Sequence, residues 1–166
     1  MNDKHSIVNE LINTYAEAYQ NLGYSSLMGK IVALLLAAPE PLSLDEISER
    51  LQMSKGPISQ IARKLKEHQL IERVWIPGER KDYYRATDDI FGQAFRNYAR
   101  SMRKNEQIAQ KFIDLLQEAN TSDPEVIHLQ DRMEEMKAFY ALMTQHNSDF
   151  ISKWYLAKPD LAETTV

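Results

Sequence analysis

The chain of 166 residues is 43% apolar and 27% charged, with five glycines, six prolines and no cysteine, which supports one core, or a small domain carrying helical arms, and leans towards a mainly α (α+β) fold. The missing cysteines exclude disulfide staples, zinc fingers, iron–sulfur ligation and thiol redox sensing. The longest apolar run, Ile31 to Ala38, is far shorter than the roughly 20 residues of a membrane span, and with no basic-then-apolar leader the protein is expected to be soluble, unattached to membranes and cytoplasmic.

The net charge of −4 hides a segregation. Residues 1–54 hold 3 basic and 7 acidic groups, residues 55–104 hold 12 and 6, and residues 105–166 hold 5 and 11. Phosphate contact is a local electrostatic matter, so a basic middle between acidic ends places any polyanion-binding surface in the middle third.

In chain order, Val8, Leu11, Ile12, Tyr15, Tyr19 and Leu22 recur at three- and four-residue steps and predict an amphipathic helix over residues 4–22, ended by Gly23. A second helix, 25–38, is apolar nearly all round in its latter half and belongs in the centre of the core; Pro39 and Pro41 stop it. Ser43-Leu44-Asp45-Glu46 spells a capping box for a short helix with Ile47 and Leu51 inside. Ser54 caps the next helix, 54–69, whose inner face is Ile58, Ile61 and Leu65; Pro57 is tolerated in its first turn because those amides have no helical partners. Two short helices joined at Gln52-Met53 have the layout of a helix-turn-helix. Ile71 to Ile76 and Tyr83 to Ala86 then read as strands around the charged turn Pro77 to Asp82, a hairpin that must lean on the preceding helices.

Residues 90–120 are helical by pattern, and Thr121-Ser122-Asp123-Pro124 breaks and recaps the chain. In the last helix Leu129, Met133, Met136, Tyr140, Met143, Asn147, Phe150 and Trp154 step by four and three, a heptad seam with one polar interruption. About 30 helical residues rise about 45 Å, longer than a small domain is wide, so these arms need a partner, most simply a second copy of the chain. The expected organisation is an N-terminal dimerisation helix, 1–22, a winged helix-turn-helix, 23–89, a long-helix dimerisation region, 90–156, and a flexible tail, 157–166.

With Ile58, Ile61 and Leu65 turned inward, helical geometry turns Lys55, Gly56, Ser59, Gln60 and Arg63 outward, with Lys64 and Lys66 flanking. Arg pairs with guanine edges, Gln can pair with adenine, Ser and Lys reach phosphates, and Gly56 with Ser54 and Pro57 lets the helix end approach a backbone closely. At the hairpin, Arg80 and Lys81, with Arg73 and Arg85 on the strands, could straddle a phosphate ribbon or place an arginine in a minor groove.

Gly23 with Gly29-Lys30-Ile31, Pro41 to Glu46, Ser54 to Ser59, and Val74-Trp75-Ile76-Pro77-Gly78-Glu79-Arg80-Lys81-Asp82-Tyr83-Tyr84 together resemble the MarR-type winged-helix regulators, and within them the GbsR-like branch named for control of glycine betaine synthesis. The resemblance covers about residues 20 to 90. It implies a homodimer with interlocked terminal helices, each protomer offering one recognition helix and one wing to double-stranded DNA, and acting as a ligand-responsive repressor. It departs at Gln69, where the family commonly has glycine before the first wing strand. The branch's choline- or betaine-type ligands imply a cation–π cage, for which Tyr15, Tyr19, Tyr24, Trp75, Tyr98 and Trp154 are candidates.

Gly23 to Gly29-Lys30 is not a phosphate loop, having five intervening residues and Ile31 where Ser or Thr must stand. The four histidines are scattered, and the paired acids Asp88-Asp89 and Glu134-Glu135 point apart on a helix, so neither a metal nor a cofactor nor an enzyme activity is expected. A protein-interaction module on the same scaffold is the alternative, but only a DNA regulator explains why positive charge collects on the recognition helix and wing.

Overall fold

The computed structural model describes residues 4–119 and 122–163, with side chains for 5–119 and 122–159. In order, the elements are α1 (Lys4–Asn21), α2 (Ser26–Ala37), β1 (Leu42–Ser43), α3 (Leu44–Leu51), α4 (Lys55–Glu67), β2 (Ile71–Val74), β3 (Tyr83–Ala86), α5 (Ile90–Ala119) and α6 (Pro124–Glu163). They divide into two compact units, Met1–Gln93 and Ala94–Val166.

The first unit is a winged helix-turn-helix built around α2. Ile31, Val32, Ala33, Leu34 and Leu35 are at most 3% exposed, so this helix is enclosed on nearly every side, as its unbroken apolar sequence requires. Ile47 from α3, Ile58, Ala62 and Leu65 from α4, and Ile71 from β2 join the same core. On α4, Ala62 is fully buried while Ile61 is half-buried, a small rotation from the expected inner face. The helix α1 closes the core through Ile12, with Val8, Leu11, Tyr15 and Tyr19 packed against it. The contact is close because Gly29 has no side chain: a Cβ there would lie 2.3 Å from the Tyr15 carbonyl oxygen. Packing therefore groups α1 with the winged unit, where sequence patterning had separated it at residue 22.

The capping box forms as expected. The Ser43 amide donates to Glu46 Oε2 at 2.8 Å and the Glu46 amide donates to Ser43 Oγ at 3.3 Å. The Ser43 hydroxyl, donating to Glu46 Oε2 at 2.7 Å, and the Ser43 amide together hold the Glu46 carboxyl below its usual range. Ser54 stands at the N-cap of α4, but its side chain makes no cap hydrogen bond.

Three helices of this unit end in the same way, with the chain in the left-handed region and paired 6→1 and 5→2 hydrogen bonds. At α1 the reversing residue is Gly23, with Tyr24 N–H bonded to Tyr19 O and Gly23 N–H to Gln20 O. At α3 it is Gln52, φ 53°, with Met53 N–H bonded to Ser48 O; at α4 it is Gln69, φ 58°, with Leu70 N–H bonded to Leu65 O. The departure from glycine at Gln69 thus falls on a left-handed residue.

The wing is a three-stranded antiparallel sheet in the order β1-β3-β2. Glu72 faces Arg85 and Arg73 faces Tyr84 across β2 and β3, while Leu42 faces Tyr84 across β1 and β3. The strand β1 was not anticipated: it is two residues long and coincides with the capping box, so no alternation could announce it. Between β2 and β3, Glu79 N–H closes on Ile76 O at 3.1 Å with Gly78 at φ 86°. Pro followed by a positive-φ Gly is what a type II turn demands.

In the second unit α5 and α6 run antiparallel, Phe95 packing on Phe150 at 4.5 Å between ring centroids and Thr144 Oγ1 donating to Glu106 Oε2 at 3.1 Å. Ala109, Ile113 and Asn147 are buried, whereas Leu129 and Phe150 of the expected heptad seam are exposed and its remaining members half-buried. Helix α6 continues to Glu163, through the start of the expected flexible tail; residues 164–166 lie outside the described residues.

Two substitutions test this construction by urea denaturation. Gly29→Ala must separate α1 from α2 and should destabilise by about 3 kcal/mol, since the obstacle is backbone. Gln69→Gly relieves a left-handed residue without disturbing its hydrogen bonds and should stabilise by up to about 1 kcal/mol.

Candidate nucleic-acid interface

Lys55, Gly56, Pro57, Gln60, Arg63 and Lys64 are exposed on α4, and Ser54 is exposed at its N-cap. Ser59 is half-buried, so it contributes less to this surface than the helical period suggests. On the wing, Arg73, Arg80, Lys81 and Arg85 are exposed. All of them belong to the first compact unit.

The structure sorts these cations in a way the sequence did not. Lys55 and Lys81 both bind the carboxylate of Asp45, in the first turn of α3; the Lys81 Nζ to Asp45 Oδ2 distance is 2.9 Å. Hydrogen bonds from Lys55 and Lys81 pull the Asp45 pKa down to about 2, and the same contact raises that of Lys81. Arg73 pairs with Asp82 at 2.8 Å, and Arg85 with Glu72 at 2.6 Å across the strands. Among the described residues Arg63, Lys64 and Arg80 have no ion pair. With Lys66 they are the cations of the expected set that no internal carboxylate holds.

Asp45 was overlooked because its sequence neighbourhood accounts for it completely. An acid in the first turn of a capped helix already has a role beside the helix dipole. Its lysine partners lie 10 and 36 residues away, beyond any local pattern. Its carboxylate ties the start of α4 to the wing tip, so α4 and the hairpin are pinned to each other through α3.

The aromatic candidates for a cation cage are dispersed along the chain. Tyr15 stacks on Tyr19 at 6.2 Å and Tyr19 meets Tyr24 at 5.9 Å, a row of rings along α1 and its end. Trp75 is exposed on the hairpin, and Tyr98 and Trp154 belong to α5 and α6. Among the described residues no three His, Asp or Glu side chains gather as metal ligands, and no helix is long and apolar enough to cross a membrane.

A helix-turn-helix whose second helix exposes Gln60, Arg63 and Lys64, followed by a wing ending in Arg80, has the architecture of winged helix-turn-helix proteins. No family model matches the chain. It is 31% identical over 116 residues to the HTH-type transcriptional repressor OpcR of Bacillus subtilis (strain 168), which takes in 64% of this chain and 62% of OpcR. It is 26% identical over 146 residues to the HTH-type transcriptional regulator MmpR5 of Mycobacterium tuberculosis, covering 87% of this chain and 85% of that protein. A crystal structure of a transcriptional regulator aligns with a TM-score of 0.76 at 25% identity, over 90% of this chain and 98% of the other. The chain therefore spans less than two thirds of OpcR.

The Asp45 contact has a pH signature. Its folded pKa lies below the ordinary 3.8, so the contribution is complete above about pH 4 and is lost as pH falls towards 2. Asp45→Asn should flatten that acid limb of stability and speed hydrogen exchange of the amides of residues 78–82. Unchanged exchange at the wing tip would show that the carboxylate does not hold it.

Proposed function

We propose that the protein is a sequence-specific DNA-binding transcription regulator that works as a homodimer on an inverted-repeat operator. The observation that carries this reading is the α4 face, where Gln60, Arg63 and Lys64 are exposed and Arg63 and Lys64 have no internal counter-charge among the described residues, beside a wing tip carrying Arg80. Arg63 suits a bidentate contact with guanine, Gln60 one with adenine, and Lys64 and Arg80 suit phosphates. The likeness to proteins named as HTH-type repressors and regulators supports the same reading.

Dimerisation is supported by apolar surface that a single chain leaves bare. Ile108, Phe112 and Leu115 lie on one face of α5 at steps of four and three and are 44–49% exposed; on α6, Leu142 is 73% exposed and Phe139 58%. Such stripes on long helices are covered by a second copy at least expense of new sequence. Two recognition helices about 34 Å apart then meet successive major grooves. Footprinting should find an inverted repeat with half-sites about one helical turn apart; a single asymmetric half-site, or a monomer at micromolar concentration, contradicts the geometry.

The side-chain roles separate in gel shifts. Arg63→Ala should cost about 1–3 kcal/mol and relax base preference at one operator position. Arg80→Ala should weaken all sequences alike and reduce the salt slope by about one. Binding unmoved by either change would overturn the site assignment. The GbsR-like resemblance adds a quaternary ammonium effector, for which the Tyr15-Tyr19-Tyr24 row supplies neighbouring ring faces. Titration with choline and betaine tests it.

A further inference from the structure

Two cations of the winged unit share one acid. Asp45 stands in the first turn of α3, where its neighbour Glu46 is already committed to the Ser43 amide and hydroxyl. The Asp45 carboxylate is left to answer Lys55, the first residue of α4, and Lys81, just before β3, whose Nζ lies 2.9 Å from Asp45 Oδ2. The backbone prepares the second of these contacts: Ser43 pairs with Tyr83 across β1 and β3, and Asp45 and Lys81 each stand two residues from that pair. The Arg73 bridge to Asp82 and the Arg85 bridge to Glu72, by contrast, each stay within the hairpin.

So placed, the carboxylate has two opposite effects on a duplex brought to α4 and the wing. It fixes the wing tip against the start of α4, a spacing that bound DNA has to match. It also subtracts negative charge's attraction from the same surface, because each lysine is already partly neutralised. The Asp45 side chain is 40% exposed and those of the lysines 57–64%, so these bridges are weak and exchangeable, and a phosphate held close by draws the lysines away. The two effects do not fall equally on all DNA. A duplex of arbitrary sequence is bound almost wholly through phosphate charge, so a competing acid weakens the whole of that binding. Where Gln60 and Arg63 meet matching bases, α4 is held in one register, the phosphates stay beside Lys55 and Lys81, and the fixed spacing offsets what the acid takes away.

We propose that Asp45 is a specificity-determining residue: it holds Lys55 and Lys81 back from phosphates in general and yields them at a cognate site, so that it widens the gap in affinity between operator and unrelated DNA. The inference rests on the DNA-binding reading. Lys64 and Arg80 have no ion pair among the described residues and attract the phosphates of either kind of duplex, which leaves the discrimination by charge to the paired lysines. A carboxylate that served only to clasp the fold would lower stability when removed and leave the ratio of the two affinities where it was.

The test is a set of gel shifts with the full chain over a range of salt, on a duplex enriched from a randomised pool by the unaltered protein and on a scrambled duplex of the same length and composition. For Asp45→Asn the scrambled duplex should bind about tenfold tighter, with a salt slope steeper by about one to two, while the enriched duplex gains no more than about twofold, so that the ratio falls about fivefold. Asp45→Glu, which keeps the charge, should retain most of the discrimination. Lys81→Gln should cost more affinity for the enriched duplex in the Asp45→Asn background than in the unaltered protein, because there the lysine is no longer shared with an acid. Equal tightening on both duplexes, an unchanged salt slope, or strictly additive effects of Lys81→Gln and Asp45→Asn overturns the proposal and leaves the DNA reading intact. If the unaltered protein enriches no duplex from the pool, that reading fails and the proposal with it.

Discussion

The enclosure of α2 is the constraint from which the rest of the first unit follows. A twelve-residue helix that is apolar nearly all round in its latter half has little face to present to water, so its neighbouring elements become lids. Helix α1 covers one side, and can do so only because Gly29 lets two backbones meet. The other sides are taken by α3, α4 and the sheet, each through one fully buried aliphatic residue or a few. With their inner faces committed in this way, α4 and the wing have no freedom in which side they show to solvent. The candidate interface is what remains of these elements after α2 has been satisfied.

That logic explains why so much was legible in advance. The polar face of α4 could be read because Ile58 and Leu65 set the phase of the helix, and the capping box could be read because both of its partners lie within one turn. The turn at Gly78 announced itself through Pro77. What could not be read was long-range or very short. The strand β1 is two residues pressed against a helix start, and Gln52 takes up a left-handed conformation with no glycine to advertise it. Ser54 looked like a capping residue and occupies the cap position, yet its hydroxyl is not used there, because residue type gives position more readily than it gives a bond.

The same division between local and distant decides how the electrostatics are to be understood. Summed charge over the middle third pointed towards phosphate, but sums do not distinguish a free cation from one already answered. Lys55 and Lys81 are answered by Asp45, Arg73 by Asp82 and Arg85 by Glu72. A DNA phosphate arriving between α4 and the wing would meet two lysines held by a carboxylate it must displace or share, whereas Arg63, Lys64 and Arg80 stand ready. Prearranged lysines cost less entropy to use, and the acid that prearranges them also weakens the field they project. Asp45 is in this sense both scaffold and competitor.

Asn147 brings the two units' stories under one rule. As part of a heptad it reads as the polar interruption that sets the register of a helical seam, a role that calls for a matching polar partner. In the structure it is buried against α5, where Arg96, Arg100 and Arg103 line the same cleft and its Nδ2 has no hydrogen-bond partner. On α4 and the wing, Lys55, Lys81, Arg73 and Arg85 are answered by carboxylates of their own chain, whereas Arg63, Lys64 and Arg80 have no ion pair among the described residues. Arg100 and Arg103 of α5 likewise have no ion pair among the described residues, so the cations of the basic middle third divide by whether the fold has supplied the counter-charge itself.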